Sequence, residues 1–349
     1  MMLLPPPPVL PFQSENDSSF FMILNILITY LRSLKMPLPF YNFSIRNRIL
    51  EHEVSLPLST NDPYRILSDR PFEFWIVSGE TVETFENLLT IISPRVRNFR
   101  YGNCFISLRN RLLMTLMWLR QYPTYTVLSL TFGVNVSAVG KTVNKMWMIL
   151  WEILEPQITW PSVIQWNQMR VIGQKCRMLL EPLMVHPIPS TEPQEEFYSG
   201  HRKFHCIHTQ IVIDNQKNIC YVHSGFLGHN NDAFCYQQIR QIGPGLENDF
   251  PAHCFILADS IYPNAPPLVT PFKSTDIVRR PRLEQKRKRK FNLLHRKRRV
   301  YVEHVIKELK TFRVIDALYR QPRWEMSSTV ELCAALAKRR ADLIKDVYS

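Results

Sequence analysis

Two acids occupy positions from which they could do chemistry. Leu257-Ala258-Asp259 closes an apolar run with a carboxylate, and Val300-Tyr301-Val302-Glu303-His304-Val305-Ile306 carries another on a helix-patterned segment. Between them runs a dense cationic stretch from Arg279 to Arg299. Carboxylate oxygens hold Mg²⁺ or Mn²⁺, and lysines and arginines draw in a polyanion. The combination suits a divalent metal held against a phosphate backbone.

Each acid also has a plainer reading. Glu181 ends a predicted strand in Met178-Leu179-Leu180-Glu181-Pro182-Leu183, where burial without a partner is costly and a metal would offset that cost. Pro182 argues equally for a strand end at the surface. Asp259 sits where a buried strand opens onto a loop, the place where α/β sheets hold ligands. Glu303 lies beside an apolar stripe of Val302, Val305, Ile306, Leu309 and Phe312. Lys307, one turn on, offers it a solvated ion pair worth about 0.2–0.5 kcal/mol. Asp232 follows Gly228-His229-Asn230-Asn231 and opens a helix, so a helix cap and a further metal carboxylate fit its type equally. His186 and His229 lack metal-ligand spacing and read as structural.

The elements that must position these acids follow from periodicity. Val82, Phe85, Leu88 and Leu89 share one face of a helix beginning near Thr81, and Ser107 to Leu119 repeats the pattern. Pro123-Thr124-Tyr125 interrupts it. Thr126 to Phe132 then forms a short helix ending at Gly133, and a longer one runs from Ala138 to about Leu154 with Ser137 as N-cap. Short helix, glycine turn and capped longer helix make a helix-turn-helix outline, in which Lys141 and Lys145 face a groove. Ordinary helical packing is the alternative. From Val171 strands take over: Arg177 to Leu183, a hairpin of His208 to Ile213 with Ile219 to Ser224, and Phe255 to Ala258. Helices are predicted over Asp232 to Ile242 and Val300 to Phe312. The expected organisation is a poorly ordered leader over 1–60, a helical region over 61–160, and an α/β domain of mixed sheet and flanking helices over 170–345.

Composition narrows the partners. The 349 residues carry 43 Lys and Arg against 30 Asp and Glu, a formal charge of +13, which favours an anionic partner such as DNA. The seven cysteines are scattered without a Cys-x-x-Cys, which fits neither a disulfide framework nor a zinc ribbon. Phe20 to Leu31 is too short an apolar run to span a bilayer, so no membrane partner is expected. The ten glycines are nowhere grouped as a phosphate-binding loop needs. In the cationic stretch, Lys286, Arg287, Lys288, Arg289 and Lys290, then Arg296, Lys297, Arg298 and Arg299, are read as DNA-binding within an extended loop. The two clusters also have the form of a nuclear import signal, which points to the nucleus.

Four segments occur in order: Phe197 to Lys203, Gly225 to Asp232, Leu257-Ala258-Asp259-Ser260-Ile261-Tyr262-Pro263, and Asn292 to Glu303. Together they resemble the DDE endonuclease domain of PIF/Harbinger-type transposases and the nuclease-like host proteins derived from them, over about residues 80 to 345. The resemblance implies an RNase H-like fold, a two-metal phosphodiester-cutting site with Glu181, Asp232, Asp259 and Glu303 as metal carboxylates, and Glu181, Asp259 and Glu303 as the catalytic set. It suggests a Myb-like partner protein and leaves oligomerisation open. This chain departs from the family at Glu181-Pro182-Leu183, where Asp-Gly-Thr is usual, and in a longer interval between Asp259 and Glu303. The first departure sustains a rival expectation, a catalytically silent DNA-binding protein on the same scaffold. A decayed element without a stable product is a third.

Overall fold

The computed structural model describes residues 62–96, 106–162, 164–165, 177–185, 195–200, 203–214, 216–238 and 255–348. The chain divides into two compact units, Met1–Trp147 and Met148–Ser349. The leader expected over 1–60, and His186, lie outside the described residues.

The first unit is helical. Helices α1 (Pro63–Ser68), α2 (Pro71–Ser78), α3 (Val82–Val96), α4 (Leu108–Gln121) and α5 (Tyr125–Phe132) are followed by α6 (Val136–Leu154), within which the division falls. In α3, Phe85, Leu88 and Ile92 are fully buried at the spacing of a single helical face. Ser107 caps α4 by accepting from the Asn110 amide at 3.2 Å, and Gly133 ends α5 with the left-handed φ of 64° that a side chain would resist. The cap of α6 differs from expectation. Asn135, not Ser137, accepts the Ala138 amide at 2.7 Å, so the helix starts earlier. Both are cap-forming types, and sequence alone does not rank them.

The second unit is built on a mixed sheet. Strands β1 (Arg177–Val185), β4 (Ile207–Ile213), β5 (Ile219–Leu227), β6 (Phe255–Leu257) and β7 (Leu268–Val269) lie in the order β5-β4-β1-β6-β7, while β2 (Tyr198–Ser199) and β3 (Phe204–His205) form a separate ribbon. β4 is antiparallel to β1 and β5; β6 is parallel to β1 and β7. α7 (Asp232–Gln237), α8 (Ser274–Val278), α9 (Arg282–Leu309), α10 (Arg313–Asp316) and α11 (Met326–Tyr348) complete the unit. α9 packs on β1 and on α11, and α11 on β5. One face of the sheet buries Val212, Ile256, Ala258, Tyr262 and Leu268 together, with Tyr236 of α7 against them. The fold is thus α/β with a helix-turn-helix region before it.

Two expectations are corrected. Glu181 does not end its strand. β1 continues to Val185, pairing Glu181 with Ile211 and Pro182 with Gln210 on β4. Its pairing with β6 stops at Leu179, so among the described strands the second edge of β1 is open beyond that point, and a residue lacking an N–H is tolerated there. The cationic run is not a loop either. It forms the first two-thirds of α9, because Arg, Lys, Leu and Gln are good helix formers and their like charges are diluted by solvent. Glu284 near the helix start favours it further, accepting from Lys288 at 3.2 Å.

Candidate active site and nucleic-acid interface

The β1–β6 register brings the two acid-bearing segments side by side. Leu179 pairs with Leu257 in parallel, two residues before Glu181 on one segment and two before Asp259 beyond the end of the other. The side chain of Glu181 lies outside the described residues. Asp259 follows directly on the buried Leu257 and Ala258, and its carboxylate is 35% exposed at the mouth of the strand. The Ser260 amide donates to its Oδ1 at 2.6 Å, and Arg299 Nη1 approaches the same oxygen at 3.3 Å.

α9 is fastened alongside this strand end by a polar stripe. Asn292 makes a two-way clasp with the backbone of Phe272, donating to its carbonyl at 2.8 Å and accepting its amide at 3.0 Å. His295, buried, donates from Nε2 to the Ala258 carbonyl at 3.0 Å. Burial lowers its pKa, outweighing the hydrogen bond to Ala258, so the ring is neutral and holds the Nε2–H tautomer. Arg299 follows at Asp259. Glu303 comes one turn later on the same flank, exposed, beside the buried Val302 and Val305. The spacing Asn292, His295, Arg299, Glu303 keeps all four on one side of the helix. Asp259 and Glu303 therefore lie on the side of the sheet that α9 covers.

Asp232 is not brought to that place. It belongs to α7, where Asn231 is the cap that accepts the Phe234 amide. Its Oδ1 lies 3.4 Å from Nδ1 of His208, which is 3% exposed. Neither atom has a hydrogen-bond partner, so at this distance the contact is a buried ion pair. Burial pulls the His208 pKa down, but the Asp232 carboxylate and Cys206 outweigh it and raise it to about 9, which keeps the ring charged at neutral pH. The ring's other nitrogen donates to the Gly228 carbonyl at 3.1 Å. His208 is three residues from Ile211 along a pairing with β1 that runs without a register shift, and Ile211 pairs with Glu181. Asp232 thus lies across the sheet from position 181.

Among the described residues no three His, Cys, Asp or Glu side chains gather as a metal-holding group. The donors on the α9 face nevertheless fit a hard divalent cation. They are carboxylates with no thiol among them, and Asp259 is accessible and already bound to a positive charge.

The basic residues of α9 separate by role. Lys286, Arg287, Arg289, Lys290, Arg296, Lys297 and Arg298 are exposed. Lys288 is engaged with Glu284 and lies 4.6 Å over the Phe272 ring, and Arg299 is turned to Asp259. In the first unit the outer side of α6 exposes Ser137, Lys141, Asn144 and Lys145, and Tyr125 of α5 donates to Asn144 Oδ1 at 3.2 Å. Sequence reasoning did not single out His208, Asn292 or His295, and read Arg299 only as a base. The 292-295-299-303 helical spacing was a signal that could have found three of them.

In the chain, a helix-turn-helix region precedes an α/β domain with an accessible acid just beyond a strand end. Residues 185–338 match the DDE superfamily endonuclease family, and residues 104–156 match the helix-turn-helix of DDE superfamily endonuclease. Over those residues the chain resembles the DDE superfamily endonucleases, which generally use divalent metals, and the two matched domains imply DNA as partner. It is similar to the probable transposase for insertion sequence element IS702 of Microchaete diplosiphon, 24% identical over 257 residues, covering 71% of this chain and 87% of that protein. No solved structure matches. Among the described residues no helix is long and apolar enough to cross a membrane.

Proposed function

We propose that this protein is a metal-dependent DNA endonuclease derived from a PIF/Harbinger-type transposase, hydrolysing phosphodiester bonds on an RNase H-like scaffold. The observation that carries this reading is the accessible Asp259 carboxylate just beyond β6, paired with Arg299 one turn before Glu303 on α9. The strand order β5-β4-β1-β6-β7, in which only β4 runs antiparallel to the others, supports the RNase H-like assignment. Glu181, Asp259 and Glu303 would hold the Mg²⁺ or Mn²⁺ ions, which when bound activate the attacking water or hydroxyl and neutralise the leaving oxygen. The Ser260 amide orients the Asp259 carboxylate, and His295 fixes the backbone carbonyl just before it. Exposed bases of α9 bind phosphates without reading sequence, while Lys141 and Lys145 dock α6 in a groove.

Nuclear residence, a Myb-like partner protein and self-association extend this proposal. Cleavage of plasmid DNA by the purified chain in Mn²⁺, abolished by EDTA and by Asp259→Asn, tests its enzymatic core. No cleavage by well-folded protein overturns it. A second reading, a catalytically silent DNA-binding protein, is favoured by Glu181-Pro182-Leu183 and by the guanidinium on Asp259. It predicts DNA binding without cleavage, and cleavage appearing only when Glu181-Pro182-Leu183 is changed to Asp-Gly-Thr.

A further inference from the structure

The Asp259–Arg299 pair has a consequence for how a cation reaches the site. Arg299 Nη1 lies 3.3 Å from Asp259 Oδ1, the atom that also accepts the Ser260 amide. That oxygen already carries one hydrogen bond and one cationic partner. The two partners are about a third exposed, 35% for Asp259 and 32% for Arg299, so the pair is open to water and exchangeable. Arg299 is one helical turn from Glu303 on the same flank of α9, so the residue that pairs with Asp259 neighbours the other acid read as a ligand. His295 and Asn292 hold the helix by backbone contacts that do not involve Arg299, so the helix stays docked if Arg299 swings away.

We propose that Arg299 is a built-in competitor for the metal. It neutralises Asp259 in the metal-free protein, a divalent cation enters by displacing it, and the released guanidinium becomes a phosphate-binding group beside the acids. Arg suits such a role, because its planar fork serves carboxylate and phosphate alike and its charge is permanent. In this role Arg299 is a positioning residue that sets metal affinity rather than a group that reacts. The inference rests on the metal-site reading above and deepens it.

The test is metal binding by DNA-free full-length protein, with free Mn²⁺ counted by electron paramagnetic resonance. Arg299→Gln is expected to bind Mn²⁺ about 1.5- to fivefold more tightly than the parent, the range an exposed ion pair can contribute. A purely structural arginine would give equal or weaker binding, and that result overturns the proposal. A second measurement needs no variant. In the parent, Mn²⁺ should speed phenylglyoxal modification of Arg299, read by mass spectrometry of its peptide, and unchanged or slowed modification also overturns it. Asp259→Asn separates the layers: if it binds Mn²⁺ as the parent does, the metal-site reading itself fails, whatever Arg299 does.

Discussion

Asp259 and Asp232 are both acids next to strand ends, and both were candidates for the same metal, yet the protein treats them differently. Asp259 meets an arginine at a water-accessible edge, on the face covered by α9. Asp232 meets a histidine that is 3% exposed on the other face of the sheet. An ion pair in water can exchange one cation for another at small cost. A buried pair holds its partner, because removing either side leaves an uncompensated charge. On the proposed function the first arrangement suits a metal ligand, while the second clasps α7 to β4.

The sharpest way to break this contrast is to remove each carboxylate. Asp259→Asn should lower Mn²⁺-dependent cleavage by about a thousandfold or more while leaving the melting temperature close to the parent's, since metal charge stabilisation is lost but an exposed pair contributes little to folding. Asp232→Asn should do the reverse. It should destabilise the domain by about 2–4 kcal/mol, measured by urea unfolding, with cleavage per folded molecule retained. If Asp232→Asn abolishes cleavage at unchanged stability, the clasp reading is wrong.

The same pair has a pH signature. His208 has its folded pKa raised to about 9 from an ordinary 6.5, so its contribution to stability is complete below pH 6.5 and declines as the pH rises towards 9. Urea midpoints between pH 6 and 9.5 should therefore fall in the parent and fall less in His208→Gln. A smaller effect is expected at the stripe that docks α9. His295→Ala should cost about 1–3 kcal/mol by leaving the Ala258 carbonyl unpaired, and should blunt cleavage by loosening the segment next to Asp259. Smallest is the effect on specificity of replacing Lys286, Arg287, Arg289 and Lys290 with Gln. Binding should weaken evenly across sequences, and the slope of log affinity against log salt should shrink by about 0.9 for each phosphate no longer neutralised.

The amino-acid order made part of this legible. Apolar spacing revealed α3, and Gly133 with the following cap residues revealed the helix-turn-helix, because these are local signals. The strand ending at Asp259 was visible as a short apolar run closed by an acid. Three features were not visible, each for a physical reason. β1 runs through Pro182 because β6 stops pairing at Leu179, a fact held in another strand. The cationic segment is helix-forming by residue type, but its docking rests on Asn292 and His295, which tie it to Phe272 and Ala258, neither of which neighbours it in sequence. Asp232 could not be told from a metal ligand by type, since its partner comes from β4. Local rules found the elements, and long-range pairing decided which partner each acid meets.

Anomalous diffraction from crystals soaked in Mn²⁺ tests the central claim most directly. The account predicts a manganese peak bonded to the Asp259 carboxylate at about 2.0–2.3 Å, on the α9 face with Glu181 and Glu303 converging on it, and none at Asp232. Manganese at the His208–Asp232 pair, or a fully loaded crystal with no peak at Asp259, would contradict it.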